Sequence, residues 1–237
     1  MRSKFPIIQS VIDHSENGTT IPFSGGSIVQ HRSGFCQILA NSTSESIEIS
    51  KIITDEIQEP YLHFYDVSGE WMKNILDQNP DWNIRLRKRI SGVHAASLPK
   101  KTLPDGYKMQ DALDMLDSQL QQIPNHLYHA FYSSVSDFKT NSHAKIIWTE
   151  DGHFASMCYA AAFGEGVGEI DVHTEEHHRN KGLGECAVIA FIKSLEDKGK
   201  TARWDCFLDN FGSIALAKKC GFELGEEYWF LSIYKIQ

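Results

Sequence analysis

The stretch HTEEHHRNKGLGE, His173–Glu185, decides how this chain is read. Just before it, Glu169–Thr174 (EIDVHT) alternates in the manner of a strand. After it, Gly182–Lys198 places Leu183, Ala187, Ala190, Phe191 and Leu195 on one helical stripe. A strand therefore leads through a polar loop into a helix. Glycines at 182 and 184 let a ligand approach the backbone closely. The first N–H groups of a helix have no intrahelical partner, and the helix dipole favours an anion there. Arg179 and Lys181 add positive charge, so a pyrophosphate is the natural guest. Other phosphate loops fit less well. The chain has no GxxxxGK[ST], and GEGVGE at Gly164–Glu169 lacks the third glycine of the dinucleotide fingerprint and precedes a strand, so those glycines read as hairpin punctuation.

Downstream of the loop, Thr201–Phe207 reads as a strand and Ser213–Lys219 as a short helix closed at Cys220-Gly221. Phe222–Ile236 is long enough for a final strand or hairpin. Upstream, Tyr107–Gln110 reads as a short strand. Asp111–Gln122 puts Leu113, Leu116 and Leu120 on one helical face, with Pro124 stopping it soon after. A second helix is expected around Leu127–Phe138. Ala144–Trp148 and Phe154–Phe163 then form strands joined at Asp151-Gly152. This order predicts a mixed sheet flanked by helices, an α/β (α+β) architecture. A break at Ser97–Gly106, SLPKKTLPDG, separates residues 1–104 from 105–237. The first part is expected to be a smaller α/β region with strands near Ser24–Ile28 and Gly34–Ala40 and a helix at Glu70–Asp77. The basic run Arg85, Arg87, Lys88, Arg89 reads as a solvated face.

The 237 residues carry 23 basic and 31 acidic side chains, a formal charge of −8. Residues 1–104 hold 11 of each sign, and residues 105–237 hold 12 basic and 20 acidic, so the whole surplus lies in the second part. An acidic surface repels phosphate backbones, which argues against nucleic-acid partners and suits a cationic amine. Five cysteines without a CxxC pair argue against a disulfide framework and a zinc ribbon. HTEEHH is not HExxH, so no metal site is expected, and Cys206 reads as a structural thiol. Trp204, Phe207, Phe211, Trp229 and Phe230 read as mostly core or pocket wall. No apolar run approaches the ~18 residues of a membrane span. The apolar start of the chain is interrupted too early for a secretory leader, so a soluble cytoplasmic protein is expected.

Arg179-x-x-Gly182-x-Gly184 after a strand, followed by Asn210-x-x-Ser213-x-x-Leu216 and Gly221-Phe222, resembles the GNAT superfamily of acetyl-CoA-dependent N-acetyltransferases. The likeness covers about residues 105–237, leaving 1–104 as an acceptor-side or structural region. LPDGY at Leu103–Tyr107, EIDVHT, and Trp204-Asp205-Cys206 also look like a subgroup that includes zwittermicin-resistance acetyltransferases. The resemblance implies a sheet whose fourth and fifth strands splay apart around the pantetheine arm. Val172, His173 and Thr174 would then hydrogen-bond that arm, and a backbone N–H there would stabilise the oxyanion, worth ~2.7–4 kcal/mol by analogy. Backbone N–H groups of Asn180, Lys181, Gly182, Leu183, Gly184 and Glu185 would cradle the pyrophosphate beside Arg179, and Asn210 would contact the arm. Acetyl would pass from acetyl-CoA to a primary amine of a small molecule by direct attack in a ternary complex.

By the same register Asp205 is the first candidate general base and Glu169 the second. Many relatives carry a tyrosine directly after the motif leucine as general acid. Here that position is Ala217, which leaves the acid role to another group (Ser213, Cys206 and Tyr228 are near in sequence) or to solvent. That departure keeps open a CoA-binding module with reduced catalysis. A peptide or protein acceptor is the other alternative, and the resemblance allows a homodimer.

Overall fold

The computed structural model describes residues 1–14, 17–40, 45–68 and 70–235. The chain divides into two compact units, one comprising residues 1–90 with 226–237, the other residues 91–225. The division therefore falls at Ile90/Ser91 and Gly225/Glu226, while the expected break at Ser97–Gly106 lies inside the second unit. The reason is the last strand, whose C-terminal part belongs with the beginning of the chain.

In the first unit, α1 (Pro6–Asp13) is followed by β1 (Gly18–Phe23), β2 (Gly26–His31) and β3 (Phe35–Ala40), which pair antiparallel in sequence. α2 (Ser46–Lys51) runs into a π-helical turn at Ile52–Glu56, and β4 (Tyr61–Phe64) pairs parallel to β3. α3 (Glu70–Gln78) and β5 (Asn83–His94) follow, and β5 crosses into the second unit. The final strand β11 (Phe222–Tyr234) returns to pair antiparallel with β4, Leu231 opposite Phe64 and Ile233 opposite Leu62. Ile236 lies outside the described residues. Ile28, Ile49, Ile53, Leu62, Phe64, Trp71, Ile75, Leu231 and Ile233 form this unit's core. The basic run lies on β5, where Lys88 meets Glu227 at 3.1 Å and Arg89 stacks over Phe230 at 4.7 Å.

His31, 2% exposed, offers a test of this unit by pH. The Ser33 backbone N–H donates to its Nδ1 at 3.2 Å, so that nitrogen is unprotonated. Burial, and then neighbouring Arg32, lower its pKa from 6.5 to about 4. Above 6.5 neither state carries the proton. Between 6.5 and 4 the unfolded chain takes it and the folded chain does not, so stability falls as the pH drops. Denaturant unfolding at pH 7 and pH 5 should show a loss that is smaller by about 2 kcal/mol in His31→Gln. An equal loss in both proteins would refute the assignment.

The second unit contains β6 (Tyr107–Asp111), α4 (Asp117–Leu120), α5 (Val135–Asn141), β7 (Lys145–Thr149), β8 (Phe154–Gly164), β9 (Val167–Thr174), α6 (Leu183–Glu196), β10 (Thr201–Phe207) and α7 (Phe211–Lys219). β6 to β9 pair antiparallel in turn, and β10 pairs parallel to β9. This is the mixed sheet flanked by helices that the sequence predicts. The β8–β9 hairpin turns through Glu165 and Gly166, both at positive φ (48° and 79°), in keeping with a primed turn. Ala187, Val188, Phe191, Ile192 and Leu195 of α6 are buried against one face of the sheet, and α6 touches β7, β8, β9 and β10. Met115, Leu120, Tyr128, Phe138, Trp148, Met157 and Tyr159 form the second apolar cluster.

The helix expected over Asp111–Gln122 is absent. A 3₁₀ turn at Ala112–Asp114 and the four-residue α4 flank extended backbone at Met115 and Leu116. The Gln119 side chain accepts from the Leu116 N–H at 2.9 Å and starts α4 there. The buried residues are Ala112, Met115, Leu120 and Ile123, whereas Leu113 and Leu116 are 62% and 68% exposed. Of the three spaced leucines only Leu120 reaches the core, and Leu113 and Leu116 face solvent. The helix expected at Leu127–Phe138 begins later, where the Ser134 hydroxyl caps α5 by accepting from the Asp137 N–H. Among the aromatics, Trp204 and Phe230 are buried, but Phe211 and Trp229 are exposed and wall no core.

Candidate functional site

The loop after β9 is shaped by two left-handed residues, Asn180 (φ 61°) and Gly182 (φ 78°). Gly182 is the N-cap of α6, and no side chain caps the helix there. A side chain at 182 would meet the Lys101 ammonium end at 3.2–3.3 Å. A Cβ at Gly184 would lie 3.3 Å from Thr174 Oγ1, 3.6 Å from Leu216 Cδ2 and 3.8 Å from Val172 Cγ2. The first turn of α6 thus lies directly against the end of β9 and against α7. Arg179, Asn180 and Lys181 are exposed, and Arg179 Nε donates to the Thr174 carbonyl at 3.2 Å. Glu185 pairs with Lys101 at 3.0 Å.

The β9–β10 ladder runs only over Val167–Glu169 and Thr201–Arg203. β9 continues to Thr174 and β10 to Phe207, so the two strands part after Glu169 and Arg203. Val172 and Thr174 face α6, as their approach to Gly184 shows. By alternation, Glu169, Asp171 and His173 face the opposite side. Trp204 donates to Ser213 Oγ of α7 at 3.1 Å, which puts Arg203 and Asp205 on that opposite side too. Asp205 and Glu169 therefore share a face at the opening. Glu169 and its register partner Arg203 are 6% and 7% exposed, and Arg203 also donates to Ser91 Oγ at 2.7 Å. Asp205 is half-buried. His173 meets Glu175 at 3.3 Å.

Asn210 stands at the N-cap of α7, its side-chain oxygen accepting from the Ser213 N–H at 3.1 Å. Ala217 is fully buried, and so offers no group to the site. All five cysteines are free and buried. Among the described residues, no group of three or more His, Cys, Asp or Glu side chains is arranged to hold a metal ion, and no helix is long and apolar enough to cross a membrane.

Three features were given no role by the sequence. Lys101 reaches the α6 N-terminus from the connection before β6. Tyr107 of β6 joins the loop, with its hydroxyl 2.9 Å from His178 Nδ1 and 3.0 Å from Lys181 Nζ. Asp171, on the same open face as the candidate bases, is held by the Tyr159 hydroxyl at 2.7 Å, whose other polar neighbour is the Leu127 carbonyl. Burial, then the Asp171 carboxylate, push the Tyr159 phenol well above its ordinary range, so it stays a donor. Only the LPDGY stretch and the β9 alternation hinted at any of these.

The residues fit an acyl-CoA thioester. Parted strands leave backbone of β9 available to a pantetheine amide, and the uncapped α6 N-terminus beside Lys101, Arg179 and Lys181 suits a pyrophosphate.

Comparison with known proteins follows this geometry. A family model for GNAT acetyltransferase matches residues 45–231, beginning well before the motif-bearing segment. The uncharacterised N-acetyltransferase YdfB of Bacillus subtilis (strain 168) is 31% identical over 131 residues, 54% of this chain and 50% of that protein. This chain thus matches about half the length of that relative. A GCN5-related N-acetyltransferase-like protein of Streptococcus suis 89/1591 superposes with a TM-score of 0.64 at 19% identity, over 88% of this chain and 82% of its own. A GCN5-related N-acetyltransferase from Kribbella flavida gives 0.63 at 15% identity, over 98% and 95%. With the family match covering most of its length, the chain belongs to the GNAT acetyltransferase family.

Proposed function

We propose that the protein transfers acetyl from acetyl-CoA to a primary amine of a small molecule, in the cytoplasm, in the manner of the zwittermicin-resistance-type subgroup. The observation that carries this reading is the parting of β9 and β10 after Glu169 and Arg203, directly ahead of the α6 N-terminus. When bound, acetyl-CoA supplies the activated acetyl group. Backbone N–H groups of residues 180–185, with Arg179 and Lys181, hold the pyrophosphate. Backbone of Val172, His173 and Thr174 aligns the pantetheine arm and donates to the carbonyl oxygen as charge develops on it. Asn210 braces the arm from α7. On the open face, Asp205 takes the proton from the attacking amine, with Glu169 as the alternative. Asp171 adds a third carboxylate facing the acceptor, which favours a cationic amine. With Ala217 in the tyrosine position, proton return to the thiolate falls to solvent.

The test is acceptor-dependent thiol release from acetyl-CoA over a panel of amines, including amino-sugar and peptide-like compounds and N-terminal peptides. Release with a small amine supports the reading. Release with peptides alone moves the acceptor class to proteins. Tight acetyl-CoA binding with no release from any acceptor leaves a CoA-binding module, the reading that Ala217 would favour.

A further inference from the structure

His143 lies in a cluster the transferase reading does not use. It occupies the left-handed region (φ 54°), a conformation rare for a residue with a side chain, between Ser142 and Ala144. Its position is fixed from both sides: the Ala160 N–H donates to the Ser142 carbonyl at 2.9 Å, and the Ala144 N–H donates to Ser142 Oγ at 3.2 Å. Opposite it, α6 ends in a turn through Gly199 (φ 66°), and the Lys200 N–H donates to the Leu195 carbonyl at 2.9 Å. That turn brings two lysines onto one imidazole. Lys198 Nζ lies 3.0 Å from Nδ1 and Lys200 Nζ 3.3 Å from Nε2. Lys200 Nζ also sits 4.3 Å over the Phe163 ring.

The proton count does not close. Burial, then Lys198, Lys200 and Lys145, lower His143 from 6.5 to about 4, so the ring is neutral. A neutral imidazole has one accepting nitrogen and one N–H. Whichever tautomer forms, one ammonium faces a donor. The acids nearby are already engaged: Asp111 by Lys145 at 2.6 Å and Asp197 by Lys193 at 3.2 Å. Beside the ring is a cavity of about 260 Å³, lined by Lys139, His143, Lys145, Ser194, Asp197 and Lys198 among others. An oxyanion there could accept from the Lys198 ammonium and the ring N–H together, while the Ser194 hydroxyl stays committed to the Phe191 carbonyl at 2.7 Å.

We propose that the cavity beside His143, with Lys198 and Lys200, is a binding site for a small oxyanion, a phosphate or carboxylate group, separate from the acetyl-CoA site. It lies at the C-terminal end of α6, about 20 Å along the helix from the Gly182 loop at 1.5 Å per residue. It depends in no way on the identity of the acetyl acceptor.

The experiment follows histidine ring resonances by NMR in the full chain, with His143→Gln identifying the His143 signals. Inorganic phosphate and succinate are titrated in separate arms, against sodium chloride at matched ionic strength. Saturable His143 shifts with either oxyanion, and none with chloride, are expected; the stronger arm identifies the preferred group. The double variant Lys198→Gln, Lys200→Gln should weaken that binding by at least about tenfold while its acetyl-CoA affinity, which verifies folding, is unchanged. Chloride shifts equal to those of phosphate and succinate would overturn the proposal, as would a double variant that titrates like the wild type. The lysines would then serve only the C-terminal carbonyls of α6.

Discussion

Gly184→Asp is expected to weaken acetyl-CoA binding by at least about a hundredfold, read by isothermal titration calorimetry. The new Cβ would lie 3.3 Å from Thr174 Oγ1, close to but not through its neighbours, so space alone does not produce the effect. The loss comes from a carboxylate set at the helix N-terminus, where it competes for the same N–H groups and repels the pyrophosphate. Gly184→Ala supplies the control. It adds the same Cβ without charge and should cost only a small factor. Affinity unchanged in Gly184→Asp would remove the phosphate-loop assignment, and an equal loss in both variants would assign the effect to packing.

Replacing Asp205 by Asn should lower kcat/KM by ~10²–10⁴-fold, with the deficit greatest at low pH, where the amine most needs a base. The competing carboxylate behaves differently for a physical reason. Glu169 is 6% exposed and in register with buried Arg203, so Glu169→Gln removes a buried negative charge from a site that also holds a buried guanidinium. That variant should lose stability in denaturant unfolding, whereas half-buried Asp205 should not. A normal pH–rate profile in Asp205→Asn, together with a flattened one in Glu169→Gln, would transfer the base role to Glu169.

The parts of the fold legible in sequence were those where local chemistry and tertiary packing agree. Thr201–Phe207 forms a strand over the predicted residues, and α6 follows the stripe of Leu183, Phe191 and Leu195. The glycine at 221 adopts the positive φ (86°) expected after a helix. The reading failed at Asp111–Gln122, where three leucines at helical spacing outweighed the shorter side chains of Ala112 and the flexible Met115 that the core selects. It was also blind to β1, whose Gly18 and Pro22 hide a strand paired along its length with β2. Within the site, the loop residues carried their own motif. Lys101 did not, and LPDGY and EIDVHT contained Tyr107 and Asp171 without revealing their roles, which arise from chain segments far apart in sequence. The surplus acid of residues 105–237 likewise has a local structure the total conceals: carboxylates on the open face of β9 and β10, lysines gathered at both ends of α6.

The return of β11 to β4 has a consequence for how the protein is made. Leu231 and Ile233 belong to the core of the first unit, yet they leave the ribosome only after residues 91–225 of the second. Until they do, β4 presents an open edge and Leu62 and Phe64 lack their cross-strand partners. Residues 91–225 can complete their own pairing earlier. The unit whose synthesis begins first is therefore the one that closes last, and no single cut in the chain would release either unit whole.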